Sequence, residues 1–389
     1  MTGRLTVIMA VACGMMVANL YFAQALIGEI APSLGLSGGA AGLIVTLTQL
    51  GYGAGLFLVV SLADLVENRR LILVMTAGAC LGELGIWLSH GATSFLLFSF
   101  LGGFCSVGAQ IMVPLAAHLA PEERRGSVVG NIMGGLIAGI MLARPLANGL
   151  AAVAGWRAIF GVSAIAMAVL GVVLARTLPE RRPAPRMRYG QLLVSSLRLL
   201  IRTPAIRRRT AYQATMFAMF NLFWTAVPLL LARRFGLGQP GIALFALAGA
   251  GGALAAPLAG RLGDRGHVRA GTLLALACAP LAFAIAGWAA AVGTVVVLAG
   301  AAVLLDAATQ TNQVLGQRIL YSIEPEARGR INAVYMTVVF IGGAAGSAVG
   351  ALAFAQGGWT AIAWVGAGLG VAVLALFLTE PGHRRAERA

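Results

Sequence analysis

Apolar stretches of about 20 residues recur along the whole 389-residue chain, and no other feature limits its fold so tightly. A stretch of that length with almost no charge can cross a bilayer as a helix, where every backbone N–H and C=O has to be paired inside the segment. Composition agrees: 59% of the residues are hydrophobic and 11% are charged, against about 25% charged in a soluble globular protein. The chain therefore reads as an all-α integral membrane protein.

Six runs come first: Leu5 to Ile27, Ala41 to Leu62, Leu71 to Leu88, Phe95 to Ala117, Val128 to Ala152 and Ala158 to Leu174. The first imitates a secretory signal, because Ala23-Gln24-Ala25 looks like a cleavage site. A signal's apolar core is about 7 to 15 residues, and this run is longer and carries Asn19, Tyr21 and Gln24 in its second half, so it is expected to be a retained span. From Arg176 to Arg209 the chain turns basic and proline-rich. Pro179, Pro183 and Pro185 break any helix early, and Leu192, Leu193, Leu197, Leu200 and Ile201 then restore one. That helix either lies among anionic headgroups or belongs to a solvated linker. Six more runs follow: Ala211 to Ala232, Ile242 to Gly260, Ala270 to Ala289, Val295 to Gly316, Ile331 to Ala353 and Ala361 to Leu378. The organisation expected is a six-span half over residues 1–178, a basic linker with an amphipathic helix over 179–208, and a second six-span half with a short tail over 209–389.

Charge placement checks this count. Arginines cluster at Arg69 and Arg70, Arg124 and Arg125, the linker, Arg261 to Arg269, Arg328 and Arg330, and Arg384, Arg385 and Arg388, all on one side if there are twelve spans. Intervening loops around Gly35, Gly91, Gly293 and Gly357 carry none; Arg157 and the pair Arg233 and Arg234 are the exceptions. The positive-inside rule then puts both termini and the linker in the cytoplasm. The net charge of +15 sits in these short clusters rather than along a stripe, so no nucleic-acid partner is expected. Cys13, Cys80, Cys105 and Cys278 stand singly inside apolar runs and suit packing, not metal or disulfide chemistry.

Two internal repeats recur at an offset of roughly 200 residues. The charged knot Gly260-Arg261-Leu262-Gly263-Asp264-Arg265-Gly266-His267-Val268-Arg269 has a fainter copy at Ser61-Leu62-Ala63-Asp64-Leu65-Val66-Glu67-Asn68-Arg69-Arg70, the aspartates standing roughly 200 residues apart. Pro121-Glu122-Glu123-Arg124 before the fifth run recurs as Pro325-Glu326-Ala327-Arg328 before the eleventh. Matching positions in both halves point to duplication.

These residues resemble the major facilitator superfamily, whose signature includes G-x-L-x-D-R-x-x-x-R between the second and third spans of a six-span half. Gly260, Leu262, Asp264, Arg265 and Arg269 match it; in the first half Val60 replaces the glycine and Leu65 the first arginine, and Arg69 and Arg70 stand at its end. Asn19-Leu20-Tyr21-Phe22-Ala23-Gln24, the Trp224 region and Ala327-Arg328-Gly329-Arg330-Ile331-Asn332-Ala333-Val334-Tyr335 look like the bacterial branch similar to arabinose-efflux permeases and drug:proton antiporters. The resemblance implies twelve transmembrane helices in two pseudo-symmetric six-helix bundles. It also implies gating loops, here Asp64, Arg69 and Arg70 in one half and Gly260, Asp264, Arg265 and Arg269 in the other. The arginine that many antiporters of the family carry in the fourth span is absent, and Arg144 replaces a glycine of the antiporter motif in Arg144-Pro145-Leu146-Ala147-Asn148-Gly149.

A charge inside the bilayer costs several kcal/mol on most scales and needs a reason to be there. Asp306 heads a polar stripe with Gln310, Gln313 and Gln317 at helical spacing, facing either a central cavity or a neighbouring helix, and it is the first candidate for a proton carrier. Arg144 either binds an anionic group of a substrate or neutralises a carboxylate across the cavity. Glu83 is a second proton-coupling candidate, set against snorkelling from a peripheral span. Phe217, Asn221 and Trp224 share a face of the seventh run that suits an amphipathic ligand or a helix contact. Tyr21 and Gln24, with Gln49 and Tyr52, would complete a pocket; Asn19 and Tyr21, about 200° apart, cannot both face it.

No P-loop, metal cluster or hydrolytic triad is present in the sequence, so enzymatic and ATP-driven functions lack support. The expected function is secondary active export of a small organic molecule by proton antiport. A proton-coupled or facilitative importer of a small anion or sugar, and a non-transporting membrane sensor, are the alternatives. No cofactor is expected beyond the proton gradient as energy source. The expected partners are a small-molecule substrate and membrane lipids, and the expected setting is a monomer in a bacterial inner membrane.

Overall fold

In the computed structural model, described here over residues 2–183, 187–324 and 327–380, the described residues are mostly helical and include no strand. The helices in order are α1 Gly3–Ala25, α2 Ile27–Ser33, α3 Leu43–Leu58, α4 Asn68–Leu88, α5 Ala92–Cys105, α6 Gly108–Leu119, α7 Arg125–Ala154, α8 Arg157–Thr177, α9 Tyr189–Arg202, α10 Pro204–Phe235, α11 Gln239–Ala250, α12 Ala255–Asp264, α13 Val268–Val292, α14 Val295–Ile323 and α15 Arg328–Leu378. Ten segments among the described residues are long and apolar enough to cross a membrane. Pro185, the Pro325-Glu326 start of the second repeat, and His383, Arg384, Arg385 and Arg388 lie outside the described residues.

Several apolar runs differ from single rods. The eighth is helix, turn, helix: α11 gives way to a 3₁₀ turn over Gly251–Leu254 before α12 begins. Gly249, Gly251 and Gly252 supply the weak helix propensity that permits this. Gly260, Leu262 and Asp264, expected in a loop, belong to α12, so the connection to α13 is only Arg265–His267. The fourth run is likewise divided at Ser106 and Val107. The 51-residue α15 leaves helical geometry at Gly358, where φ is 59° and ψ −151°, a conformation that glycine alone adopts without strain. The helix of the seventh run, α10, starts at Pro204, inside the stretch expected to be linker, because proline suits the first turn.

Close helix crossings depend on small residues, as expected where lipid is as apolar as protein and association rests on packing. The ridge Gly342, Gly346 and Gly350 of α15 lies on Ala214, Ala218 and Leu222 of α10. A Cβ at Gly342 would stand 2.5 Å from the Ala214 carbonyl oxygen. Gly14 of α1 meets Gly135 and Gly139 of α7 in the same manner in the first half, and Gly51 and Gly55 of α3 sit on Phe100 and Phe104. The two arginine exceptions are also accounted for: Arg157 donates to the Ser89 carbonyl at 3.0 Å, and Arg234 to the Ala291 carbonyl at 3.0 Å.

The two halves meet along unequal seams. One seam, α3 against α15, is closed along its length: Thr46 Oγ1 donates to the Ala344 carbonyl, Ser347 Oγ to the Gly42 carbonyl and Thr337 Oγ1 to the Gly53 carbonyl. The amphipathic helix α9 straps its arginine-rich end, with Tyr189 Oη donating to the Leu58 carbonyl and Arg330 donating to Ser195 Oγ. On the other seam α7 packs against α11, whereas α12 packs on α13 and α14. The molecule is thus parted between α7 and α12 at its arginine-rich end, where residues 121–127 are all exposed.

Candidate functional site

Midway along the long helices, one buried cluster holds the polar residues that hydropathy makes conspicuous. Arg144 of α7 is 6% exposed and lies across three rings, its guanidinium carbon 4.2 Å from the Trp224 ring centre, 5.1 Å from Tyr21 and 5.2 Å from Phe220. A desolvated guanidinium over an aromatic face gains about 2 kcal/mol or more, which helps to hold a charge in this interior. Arg144 Nη2 donates to Gln24 Oε1 at 3.0 Å, while its Nε has no partner. Trp224 turns its edge the other way, and its indole N–H donates to Asp306 Oδ1 at 2.9 Å. One ring therefore separates a cation on α7 from an anion on α14, and Arg144 has no ion-pair partner among the described residues.

The network continues through amides. Asn221 Oδ1 accepts from Gln24 Nε2 at 3.1 Å and from Gln49 Nε2 at 3.3 Å, and its own Nδ2 donates to the Phe217 carbonyl. Residues from α1, α3, α7, α10 and α14 are thus tied into one unit across both halves of the chain. The glycine-rich break in the eighth run lies directly on it: a Cβ at Gly252 would stand 2.5 Å from Asp306 Cβ, and one at Gly249 would strike the Trp224 ring. A broken helix beside a midpoint charge is the arrangement by which membrane transporters build sites from irregular backbone.

The whole-chain comparison decides the family. The Major Facilitator Superfamily model matches residues 6–311 and 213–389. The chain belongs to this superfamily. It is 41% identical over 386 residues to the Escherichia coli O157:H7 protein named Uncharacterized transporter YgaY, covering 99% of this chain and 97% of that one. A more distant relative is the Purine ribonucleoside efflux pump NepI of Salmonella paratyphi A, 24% identical over 204 residues, 51% of this chain and 47% of the other. Among solved structures, a bacterial homolog of the human lysosomal transporter Spinster aligns at a TM-score of 0.74 with 14% identity over 96% of each chain. The chain is a transporter of the superfamily and not an enzyme.

Within that family frame, the expected site residues fall into groups. Tyr21, Gln24, Gln49, Arg144, Phe217, Asn221, Trp224 and Asp306 come together in the cluster. Asn19 turns away and accepts from Ser163 Oγ at 2.8 Å, as its angular distance from Tyr21 requires. The stripe below Asp306 does not act as one surface. Gln313 accepts from Gln213 at 3.4 Å, Gln317 donates to Asn332, and Gln310 is half-buried with no hydrogen-bond partner among the described residues.

Glu83 departs from the snorkelling expected of it. It is 1% exposed, packed against the Gly82–Gly102 crossing of α4 and α5, with Oε2 unpartnered, and it is not part of the central cluster. Hydropathy could not find this, because the lipid-facing and protein-facing sides of α4 are equally apolar.

The gating residues are also unlike one another. Asp264 makes no ion pair with the start of α7 at Arg125, Gly126 and Ser127. It pairs instead with Arg318 of α14 in its own half, leaving those residues exposed. Asp64 has Arg181 and Arg330 as its cationic neighbours. Arg69 donates to the Ala175 carbonyl and stands 3.9 Å from Glu180. Arg70 lies 3.9 Å from Glu67, and Arg269 donates to the Glu380 carbonyl at 3.1 Å. Glu67 itself caps α4. Burial opposes its charge, but N–H groups of Arg70, Arg69 and Arg181 with the Arg70 guanidinium outweigh that and hold its carboxyl below the ordinary glutamate range.

Sequence reasoning passed over Gln213, which joins Asn312 at 2.7 Å to the Thr309 carbonyl, and Gln110, which donates to Tyr52 Oη at 3.1 Å. Asn148, one turn beyond Arg144, is buried with both amide atoms unpartnered. The signal for all three was available as isolated amides inside apolar runs. A groove of about 800 Å³ lies apart from the cluster, between α1 and α7, running from Arg124, Ser127 and Asn131 up to Leu146.

Proposed function

We propose that this protein is a proton-coupled secondary transporter that exports a small organic solute in exchange for protons, with Asp306 carrying the proton. The observation that carries the reading is the Arg144–Trp224–Asp306 array, which ties α7 to α10 and α14 at the depth where family members bind their cargo. Asp306 is the titratable group of that array that can pass between charged and neutral forms. When it ionises, its charge is balanced by Arg144 and by the Trp224 N–H. When it takes a proton, that tie between the halves weakens and the seam between α7 and α11 can part. Export is the direction in the name of the efflux pump NepI, and proton entry from outside supplies the free energy.

The architecture that goes with this reading is twelve spans in two six-span bundles, residues 1–178 and 209–389, joined by the basic segment 179–208. Gly358 serves as the turn between the last two spans, and α11 with α12 as one broken span. The arginine-rich end faces the cytoplasm of a bacterial inner membrane, so the parted seam between α7 and α12 opens inward. The exposed Val194, Leu197 and Ile201 of α9, with Arg198 and Arg202 beside them, lie against the inner leaflet. The protein works as a monomer and needs no cofactor.

The test is flux in proteoliposomes loaded with a panel of nucleosides, drugs, sugars and amino acids, with and without an imposed pH gradient. Gradient-driven movement of at least one solute, lost in Asp306→Asn, is expected; absence of flux for every solute, or gradient-driven flux that survives Asp306→Asn, contradicts the reading.

A further inference from the structure

The central cluster carries two opposite charges that do not satisfy one another. Arg144 and Asp306 stand on either side of the Trp224 ring, outside ion-pair distance, and each keeps unused capacity. Arg144 Nε is enclosed and without an acceptor. Asp306 Oδ2 takes no hydrogen bond among the described residues and faces the Gly249 stretch of α11. Gln49 Oε1 and both amide atoms of Asn148, also enclosed, lack partners as well. Buried polar atoms are nearly always paired in a folded protein, with protein, water or ligand. A concentration of unpaired ones around two separated charges specifies what is missing.

Charge accounting narrows the class. An anion on Arg144 would bring a second negative charge beside Asp306, and a cation on Asp306 would bring a second positive charge beside Arg144. In this poorly polarisable interior either repulsion is strong. An uncharged apolar solute would leave both groups as they are. A solute with one charge of each sign meets both, through charge-assisted hydrogen bonds of the stronger kind.

We propose that the central site takes a zwitterion, a small organic solute whose carboxylate enters the free edge of Arg144 and whose ammonium group sits on Asp306. This rests on the reading of Asp306 as the proton carrier and gives it a cause. Ammonium and proton claim the same carboxylate, so binding of one excludes the other, which is the linkage an antiporter requires. The charged and titratable groups facing Asp306 are Arg144 from α7 and Tyr21 from α1, with the Trp224 indole from α10. The glycine stretch of α11 that covers Asp306 presents none at Gly249 and Gly252.

Equilibrium binding to the purified full-length protein in nanodiscs tests the proposal. The probes are glycine, β-alanine, γ-aminobutyrate and L-phenylalanine, with phenylpropionate and phenethylamine as single-charge counterparts of the last. At least one zwitterion is expected to bind at pH 8, at least about tenfold more tightly than either single-charge probe. Its affinity should fall by up to about tenfold per pH unit on acidification as the proton takes its place. Arg144→Lys should weaken binding, and Asp306→Asn should remove the pH dependence, both in protein that stays monodisperse. Binding of none of the four zwitterions, equal binding of a single-charge probe, or affinity independent of pH overturns the zwitterion class. If a pH gradient still drives another solute in proteoliposomes under that outcome, the transporter reading stands and only the substrate class fails. If gradient-driven flux survives Asp306→Asn, the underlying reading fails too.

Discussion

Adding one methyl group at Gly342 measures how tightly α10 and α15 are joined. The new Cβ would lie 2.5 Å from the Ala214 carbonyl oxygen, 3.0 Å from its carbon and 3.1 Å from its Cβ. A relaxed C···O contact is about 3.3 Å, so the helices have to separate by about 0.8 Å at this level, and backbone on both sides leaves no flexible side chain to give way. Overpacking of this kind costs about 1–3 kcal/mol, partly offset by the roughly 1 kcal/mol that alanine gains over glycine in a helix. Gly300 of α14 and Gly368 of α15 have nothing within 4 Å of the same added atom, so there the propensity gain stands alone. Gly342→Ala should therefore unfold below Gly300→Ala and Gly368→Ala by a margin equivalent to about 1–3 kcal/mol, or several degrees in a thermal-shift assay in detergent. A Gly342→Ala midpoint equal to or above those of the two controls would refute the close crossing.

Other perturbations follow from single residues. Glu83 is a buried carboxyl with one oxygen unpartnered, so Glu83→Met, which fills a similar volume without a polar group, should leave the midpoint unchanged or raise it. The pH profile of transport should stay in place; a shifted profile would bring Glu83 into the coupling mechanism. Glu67 has its carboxyl held below the ordinary glutamate value of 4.5, so its contribution to stability is present above that value and disappears as pH falls through the lower, folded one. Glu67→Gln should lower stability near neutral pH and flatten the acid limb of a pH–stability curve, and an unaltered limb would contradict the cap. The Arg318–Asp264 pair is largely exposed, 48% and 71% by side chain, so Asp264→Asn should change stability by no more than about 1 kcal/mol. In cysteine-labelling experiments Ser127→Cys at the parted α7–α12 seam should react faster than Thr337→Cys at the strapped α3–α15 seam; equal rates would count against unequal seams.

The order of the apolar runs was legible because each has to cross about 30 Å of hydrocarbon, whereas the lengths of the helices within them were not. The ridge Gly342, Gly346 and Gly350 was legible for a related reason, since small residues four apart have a packing consequence that does not depend on which side faces water. Asp306 and Arg144 stood out as charges without a solvated place to go. What the sequence withheld was direction. Lipid and protein interior are equally apolar, so nothing in α4 distinguished a buried Glu83 from a snorkelling one, and nothing in α14 separated Gln310 from Gln313 and Gln317. The break between α11 and α12 was written in Gly249, Gly251 and Gly252, yet its importance lies in the contact with Asp306, which only the fold supplies. Asp264 illustrates a different limit, because its motif fixes its place at the helix end but not its partner, which is Arg318 of its own half.

The claim at the centre of this account is that Asp306 couples proton movement to solute movement, with Arg144 and the amides of the cluster keeping part of the hold on the solute when Asp306 is neutralised. It is tested most directly by comparing two fluxes of one transported solute through Asp306→Asn in proteoliposomes: counterflow, which needs no proton, and uphill movement driven by a pH gradient. The account predicts that counterflow persists and uphill movement is abolished. Uphill movement at the wild-type level would contradict it.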